Sequence, residues 1–202
     1  KEGKSEASIH FVGNTMIDTL VGFQKEIQSA DVLVKKGLKM GQFILMTMHR
    51  PATVDNKEML SKLIELIKVI TVNQKLVFPI HPRTKSKMKI FNLDDRIKPL
   101  EPLDYFSFQK LICSSKLVIT DSGGIQEETT WYQVPCLTLR PNTERPSTID
   151  IGTNSLVPFD IKIINKLINN INTGHYKKGK IPPLWDGKAT ERILEVINTT
   201  LS

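Results

Sequence analysis

Along this chain, short apolar runs alternate with longer stretches in which apolar residues recur every three or four positions. FILMTM (43–48) is a run of strand length. NKEMLSKLIELIKVI (56–70) then places Met59, Leu60, Leu63, Ile64, Ile67 and Ile70 on one face of a helix. LVFPI (76–80), IKPL (97–100), LVITD (117–121) and CLTLR (136–140) repeat the first pattern, and SLVP (155–158) is a briefer sixth run. Between them the sequence predicts a short basic helix around Thr84 to Phe91. Next comes a helix over DYFSFQKLICSS, capped by Asp104, with Phe108, Leu111 and Ile112 inward. Further helices are predicted after Gly124, stopping before Pro135, over DIKIINKLINNI (160–171) and over ATERILEVINTTL. Apolar strands without strict alternation, separated by helices, predict an α/β fold: a Rossmann-like, three-layer domain with a parallel sheet covered on both faces. Crossovers are then right-handed, and ligands sit outside the carboxyl ends of the strands.

The unusual residues fall at those ends: MHR after the first run, HPRT after the second, EPLDY after the third, DSGG after the fourth and RPNTERP after the fifth. In LVITDSGGIQEE (117–128), a plain strand-to-helix turn needs one glycine at most. Gly123 and Gly124 therefore suggest that something approaches the backbone closely. A helix starting there would offer unpaired N–H groups and the positive end of its dipole to a phosphate, with the Ser122 hydroxyl beside them. Glu127 and Glu128 either stabilise the first turns of that helix or supply a carboxylate to ribose hydroxyls. Arg145, in NTERP, is either a guanidinium fork for a diphosphate or the partner of Glu144 in a surface ion pair. His49, Arg50 and His81 are structural or solvated strand-end residues if taken singly; together they suit a shared anionic ligand. No HExxH, Cys/His cluster or DxD pattern occurs, so no metal site is expected. The lack of a GxSxG elbow argues against an acyl-enzyme hydrolase.

At 202 residues, 40% hydrophobic and 24% charged, the composition suits one large globular domain, alone or with a tail. No apolar run approaches the roughly 20 residues that span a bilayer, and KEGKSEASIH lacks a signal-peptide pattern. The start without methionine suggests a piece of something longer. Cys113 and Cys136, isolated in apolar surroundings, read as reduced core thiols of a cytoplasmic protein. The net charge of +7 fits an anionic partner. Its clusters KKGLK (35–39), RTKSKMK (83–89) and KKGK (177–180) carry no interleaved aromatics, so nucleic acid is not expected.

VGNTMID (12–18), MHRPATVDN (48–56), PIHPRT (79–84), EPLDYFSFQKLI (101–112), LVITDSGGIQEE (117–128) and TERPSTIDIGTNSLV (143–157) occur together and in order. Together they closely resemble the carboxyl-terminal half of the non-hydrolysing UDP-N-acetylglucosamine 2-epimerases, up to about residue 172. The resemblance implies one half of a GT-B-like two-domain enzyme, with the active site in the cleft between its halves. It further implies interconversion of UDP-GlcNAc and UDP-ManNAc without a dissociable redox cofactor. The implied course is elimination of UDP across C1–C2 to give a 2-acetamidoglucal, followed by its re-addition. By motif, Ser122, Gly123 and Gly124 hold the diphosphate, Arg145 and His49 assist as UDP departs, with His49 the catalytic candidate, Glu128 binds the ribose and the backbone around Phe108 meets the uracil. Arg50 and His81 match residues that touch a second, activating UDP-GlcNAc in bacterial members. The usual H-R-x-E-N motif, however, reads His49-Arg50-Pro51-Ala52-Thr53 here.

Residues 1–20 are then expected to form an interdomain connection and the start of the domain, 21–175 the UDP-binding unit, and 176–202 a linker and helix that includes the polar PPLWDGK. Expected partners are the two UDP-sugars, an amino-terminal domain carrying the acidic residues for proton transfer at C2, and a second copy in a homodimer; no membrane insertion is expected. The rivals are another GT-B enzyme, whether a glycosyltransferase or a hydrolysing epimerase, and a UDP-sugar-binding module without chemistry.

Overall fold

The computed structural model describes residues 3–80 and 95–201. The basic helix expected at Thr84–Phe91, and His81, lie outside them. Six strands form one sheet: β1 (Phe43–Thr47), β2 (Lys75–Pro79), β3 (Ile97–Leu100), β4 (Leu117–Thr120), β5 (Cys136–Leu139) and β6 (Asn154–Val157). All neighbours pair in parallel, in the order β3-β2-β1-β4-β5-β6. This is the doubly wound Rossmann order, in which the chain leaves β1 for one half of the sheet and returns to β4 for the other.

The helices are α1 (Thr15–Gly22), α2 (Gln24–Ser29), α3 (Val32–Lys36), α4 (Pro51–Val54), α5 (Lys57–Thr71), α6 (Tyr105–Ser114), α7 (Gly123–Trp131), α8 (Pro146–Asp150), α9 (Ile161–Asn172) and α10 (Ala189–Leu201). Because side chains of a strand alternate between faces, the central apolar runs feed two cores. Ile44, Met46, Phe78 and Ile119 meet α5 and α9 on one side of the sheet. Phe43, Leu45, Val77 and Val118 meet α3, α6 and α7 on the other. The stripe predicted for α5 is rotated slightly: Leu66 is buried with Leu63, Ile67 and Ile70, while Met59 and Ile64 sit at its margin.

A third cluster joins Ile17, Leu20 and Ile27 to Trp185, from the PPLWDGK stretch. Asp18 accepts hydrogen bonds from the backbone of Ala189 (3.0 Å) and Thr190 (2.7 Å), so α1 caps the start of α10. Among the described residues, no helix is long and apolar enough to cross a membrane.

Candidate functional site at the sheet switch point

Between β1 and β4 the connections depart to opposite sides of the sheet, which opens a crevice above the strand ends. The last residues of the two strands, Thr47 and Thr120, are in register and share a hydroxyl–hydroxyl hydrogen bond of 2.7 Å. Just beyond them lies a cavity of about 280 Å³ whose lining includes Thr47, His49, Leu103, Phe108, Ser122 and Ile125. Three sequence-predicted site residues, carried by the segments that follow three different strands, therefore face one space: His49, Phe108 and Ser122. Arg50, Gly123, Gly124, Glu128 and Arg145 are not among its lining residues.

α7 begins at Gly123, as an apolar strand ending in a short polar turn requires. Ser122 occupies the cap position, yet its side chain makes no capping hydrogen bond. Its hydroxyl and the first N–H groups of the helix, which have no intrahelical acceptors, remain available at the cavity edge. Neither glycine needs a left-handed backbone. What each makes room for is packing. A Cβ on Gly123 would stand 3.0 Å from Glu144 Oε1, and one on Gly124 would stand 2.9 Å from Met16 Cε. Two segments of the chain itself thus approach this backbone closely.

Beneath the helix start, Gln126 is fully buried and anchors three pieces of the site. Its amide nitrogen donates to the Ser122 carbonyl (3.0 Å), and its Oε1 accepts from Thr143 Oγ1 (2.7 Å) and Asn154 Nδ2 (3.0 Å). Thr143 Oγ1 in turn accepts from the Arg145 backbone at 3.1 Å, which fixes the loop carrying Arg145 relative to Ser122.

The Arg145 guanidinium reaches only the carbonyl of Glu144, at 3.5 Å, because the Glu144 carboxylate is held by Arg140 at 2.9 Å. It lies instead 3.1 Å from Glu127 Oε1, which also accepts from Asn14 Nδ2 at 2.8 Å. The Arg145 Nε–H is not aimed along that line, so the contact is an ion pair rather than a formed hydrogen bond. Glu127 Oε2 is buried without a partner.

Glu128 is 7% exposed, packed against α6, where the Gln109 side chain reaches it next to Phe108. Burial pushes its carboxyl up to about 7; the Gln109 hydrogen bond opposes this and the Glu127 charge adds to it. The folded state then holds a proton that the unfolded state has lost between roughly pH 4.5 and 7, so stability falls as pH rises through that window and is flat above it. Glu128→Gln is expected to remove this fall and to stabilise the fold above pH 7, as read by denaturant melts from pH 4 to 8. An unchanged pH dependence in the variant would place the titrating group elsewhere.

At the end of β1, the His49 and Arg50 backbones bend toward Asp121, the residue after β4. Asp121 is completely buried and was not singled out by sequence reasoning, which saw it only as the end of an apolar run. Its carboxylate lies 2.8 Å from His49 Nδ1 and 3.0 Å from the Arg50 backbone nitrogen. The Arg50 Nε donates to the Asp121 carbonyl at 3.0 Å, so this guanidinium is partly engaged in the loop it belongs to. The hydrogen bond to Asp121 raises the His49 pKa above its ordinary value; partial burial and the Arg50 charge act against that. Among the described residues no group of three or more His, Cys, Asp or Glu could hold a metal ion.

A parallel sheet wound in this order, with a largely apolar cavity above its switch point and a free helix start beside it, defines a Rossmann-like domain of the kind that binds nucleotides. The model for the family "UDP-N-acetylglucosamine 2-epimerase" matches residues 1–198, and the chain belongs to that family. It is 36% identical over 212 residues to the UDP-N-acetylglucosamine 2-epimerase of Methanocaldococcus jannaschii, covering 98% of this chain and 56% of that protein. The Methanococcus maripaludis enzyme of the same name is 37% identical over 210 residues, with the same two coverages, 98% and 56%. A crystal structure of the M. jannaschii enzyme in complex with UDP-GlcNAc and UDP superposes with a TM-score of 0.80, at 37% identity, over 98% of this chain and 57% of that one. The chain thus spans about half the length of the relatives it matches.

Proposed function

We propose that this chain is the UDP-binding half of a UDP-GlcNAc 2-epimerase, which interconverts UDP-GlcNAc and UDP-ManNAc by eliminating UDP and adding it back. One observation carries the reading: a single cavity at the switch point joins His49, Phe108 and Ser122 beside the open start of α7. A matched relative crystallised with UDP-GlcNAc and UDP supports the choice of ligand. In this reading the Ser122 hydroxyl and the N–H groups at Gly123 and Gly124 hold the diphosphate. Arg145 and His49 stabilise the charge that grows on it as the C1–O bond breaks and the C2 proton leaves. Phe108 lies against the uracil. Glu128 accepts from the ribose hydroxyls, and its place one helix away from Phe108 fits a nucleoside lying across both. Arg50 is assigned to a second nucleotide-sugar, for which only the part of its guanidinium not bonded to Asp121 is available.

The base that removes the C2 proton is assigned to an amino-terminal half, and the homodimer to the assembled enzyme. A cytoplasmic location is supported by the two free cysteines, Cys113 and the buried Cys136. UDP added to residues 1–202 is expected to shift the amide resonances of Ser122 to Glu128, while UDP-GlcNAc stays unconverted on long incubation. Solvent deuterium entering C2 with this chain alone would put the base in this half. No shift at saturating UDP would end the binding assignment. In the full-length protein, product analysis separates UDP-ManNAc from free ManNAc or a glycosylated acceptor, the products of the rival GT-B enzymes.

A further inference from the structure

We propose that Asp121 is the positioning residue for His49: it fixes the imidazole with its proton on Nδ1 and leaves Nε2 as the nitrogen that meets the leaving diphosphate. The inference rests on the assignment of His49 to the leaving-group side of the reaction.

The geometry is specific. A carboxylate can only accept, so the His49 ring nitrogen 2.8 Å from Asp121 Oδ1 must carry a hydrogen. That leaves Nε2 on the ring edge away from Asp121, on a side chain that lines the cavity. Asp121 cannot swing away from this duty. Its two oxygens also accept from the His49 backbone N–H, each at 3.2 Å, and Oδ2 accepts from the Arg50 N–H at 3.0 Å. Its own carbonyl is held by Arg50 Nε at 3.0 Å. One buried side chain therefore sets both the backbone turn after β1 and the orientation of the ring. His49 itself is 64% exposed along its side chain and has little packing to hold it in one rotamer, so the carboxylate is what orders it.

Two consequences separate positioning from mere structural support. The ring should favour the protonated, cationic form, because Asp121 stabilises imidazolium more than neutral imidazole; the charged groups acting on it are Asp121 and, in the opposite sense, Arg50. In the neutral form the hydrogen should stay on Nδ1, since moving it to Nε2 would set a nitrogen lone pair against the carboxylate.

The test is an NMR titration of the His49 ring, recorded without nucleotide. The chain as it stands is expected to show a midpoint above the ordinary 6.5 of histidine and, once neutral, ¹⁵N shifts of the Nδ1–H tautomer. Asp121→Asn keeps the shape and an oxygen acceptor. It should bring the midpoint down to or below the ordinary value, mix the tautomers and weaken UDP binding about tenfold, with the sheet intact by circular dichroism. Should Asp121→Asn fail to fold, the tautomer of the unsubstituted chain still decides: a neutral ring protonated on Nε2 overturns the proposal. An unchanged midpoint in a folded variant overturns it equally. Neither reading needs a ligand, so a failure here is distinguishable from a failure of the domain to bind UDP at all.

Discussion

Arg145→Ala is expected to lower the affinity for UDP ten- to hundredfold in the full-length enzyme and to slow elimination by a similar factor. A charge-assisted hydrogen bond to a diphosphate contributes roughly 1.5–3 kcal/mol, and about 1.4 kcal/mol is a factor of ten. The arginine is well placed to act: its loop is pinned to the DSGG helix through Thr143 and Gln126, so little ordering is left to do when the ligand arrives. Its contact with Glu127 is off-axis, which leaves guanidinium donors unspent. Arg145→Lys keeps the charge and loses the fork, and should recover part of the affinity. Calorimetry with UDP reads all three proteins; if Arg145→Ala binds as tightly as the parent, the arginine has no part in the site.

The largest effect on stability is expected away from the ligand. A Cβ on Gly179 would lie 2.5 Å from the Gly152 carbonyl carbon and 2.6 Å from the Thr153 nitrogen. Both neighbours are backbone and cannot rotate away. Lys180 N–H also bonds to the Ile151 carbonyl at 2.8 Å, so the two strips of main chain are stitched together at the crowded point. Forcing a methyl group between them should cost about 2–3 kcal/mol. For a chain of this length that is a loss of roughly 5–10 °C in melting temperature. Gly179→Ala melting within a degree of the parent would mean that the strips separate freely.

The strands β1, β4 and β5 were legible because they are buried on both faces, which writes them as apolar runs; the edge strands β3 and β6, only partly buried, give shorter and weaker runs. The first three helices were not. Between them α1 to α3 span Thr15 to Lys36 in pieces of five to eight residues, too short for a helical stripe to stand out from the background. Within the site, His49, Ser122 and the two glycines could be picked out because polar or small residues at strand ends are conspicuous, whereas Phe108 was assigned through the family resemblance alone. Asp121 and Gln126 could not. A carboxylate at a strand end looks the same in sequence whether it faces water or the N–H groups of a neighbouring loop, and the partners of Asp121 lie 71 and 72 residues away. Sequence adjacency also suggested Glu144 for Arg145, whereas the fold gives Glu144 to Arg140 and brings Glu127 from α7.

Glu127 has a mechanical meaning as well as an electrostatic one. The same oxygen that faces the Arg145 guanidinium takes a hydrogen from Asn14, and Asn14 caps α1 through the Met16 N–H. Helix α1 packs directly on α7, with the Met16 methyl against Gly124. A close-packed interior passes displacement on rather than absorbing it. The segment entering α1 is therefore linked to the Arg145 guanidinium through two contacts, Asn14 to Glu127 and Glu127 to Arg145. Glu127 is thus the joint between the chain around Asn14 and the loop that carries Arg145.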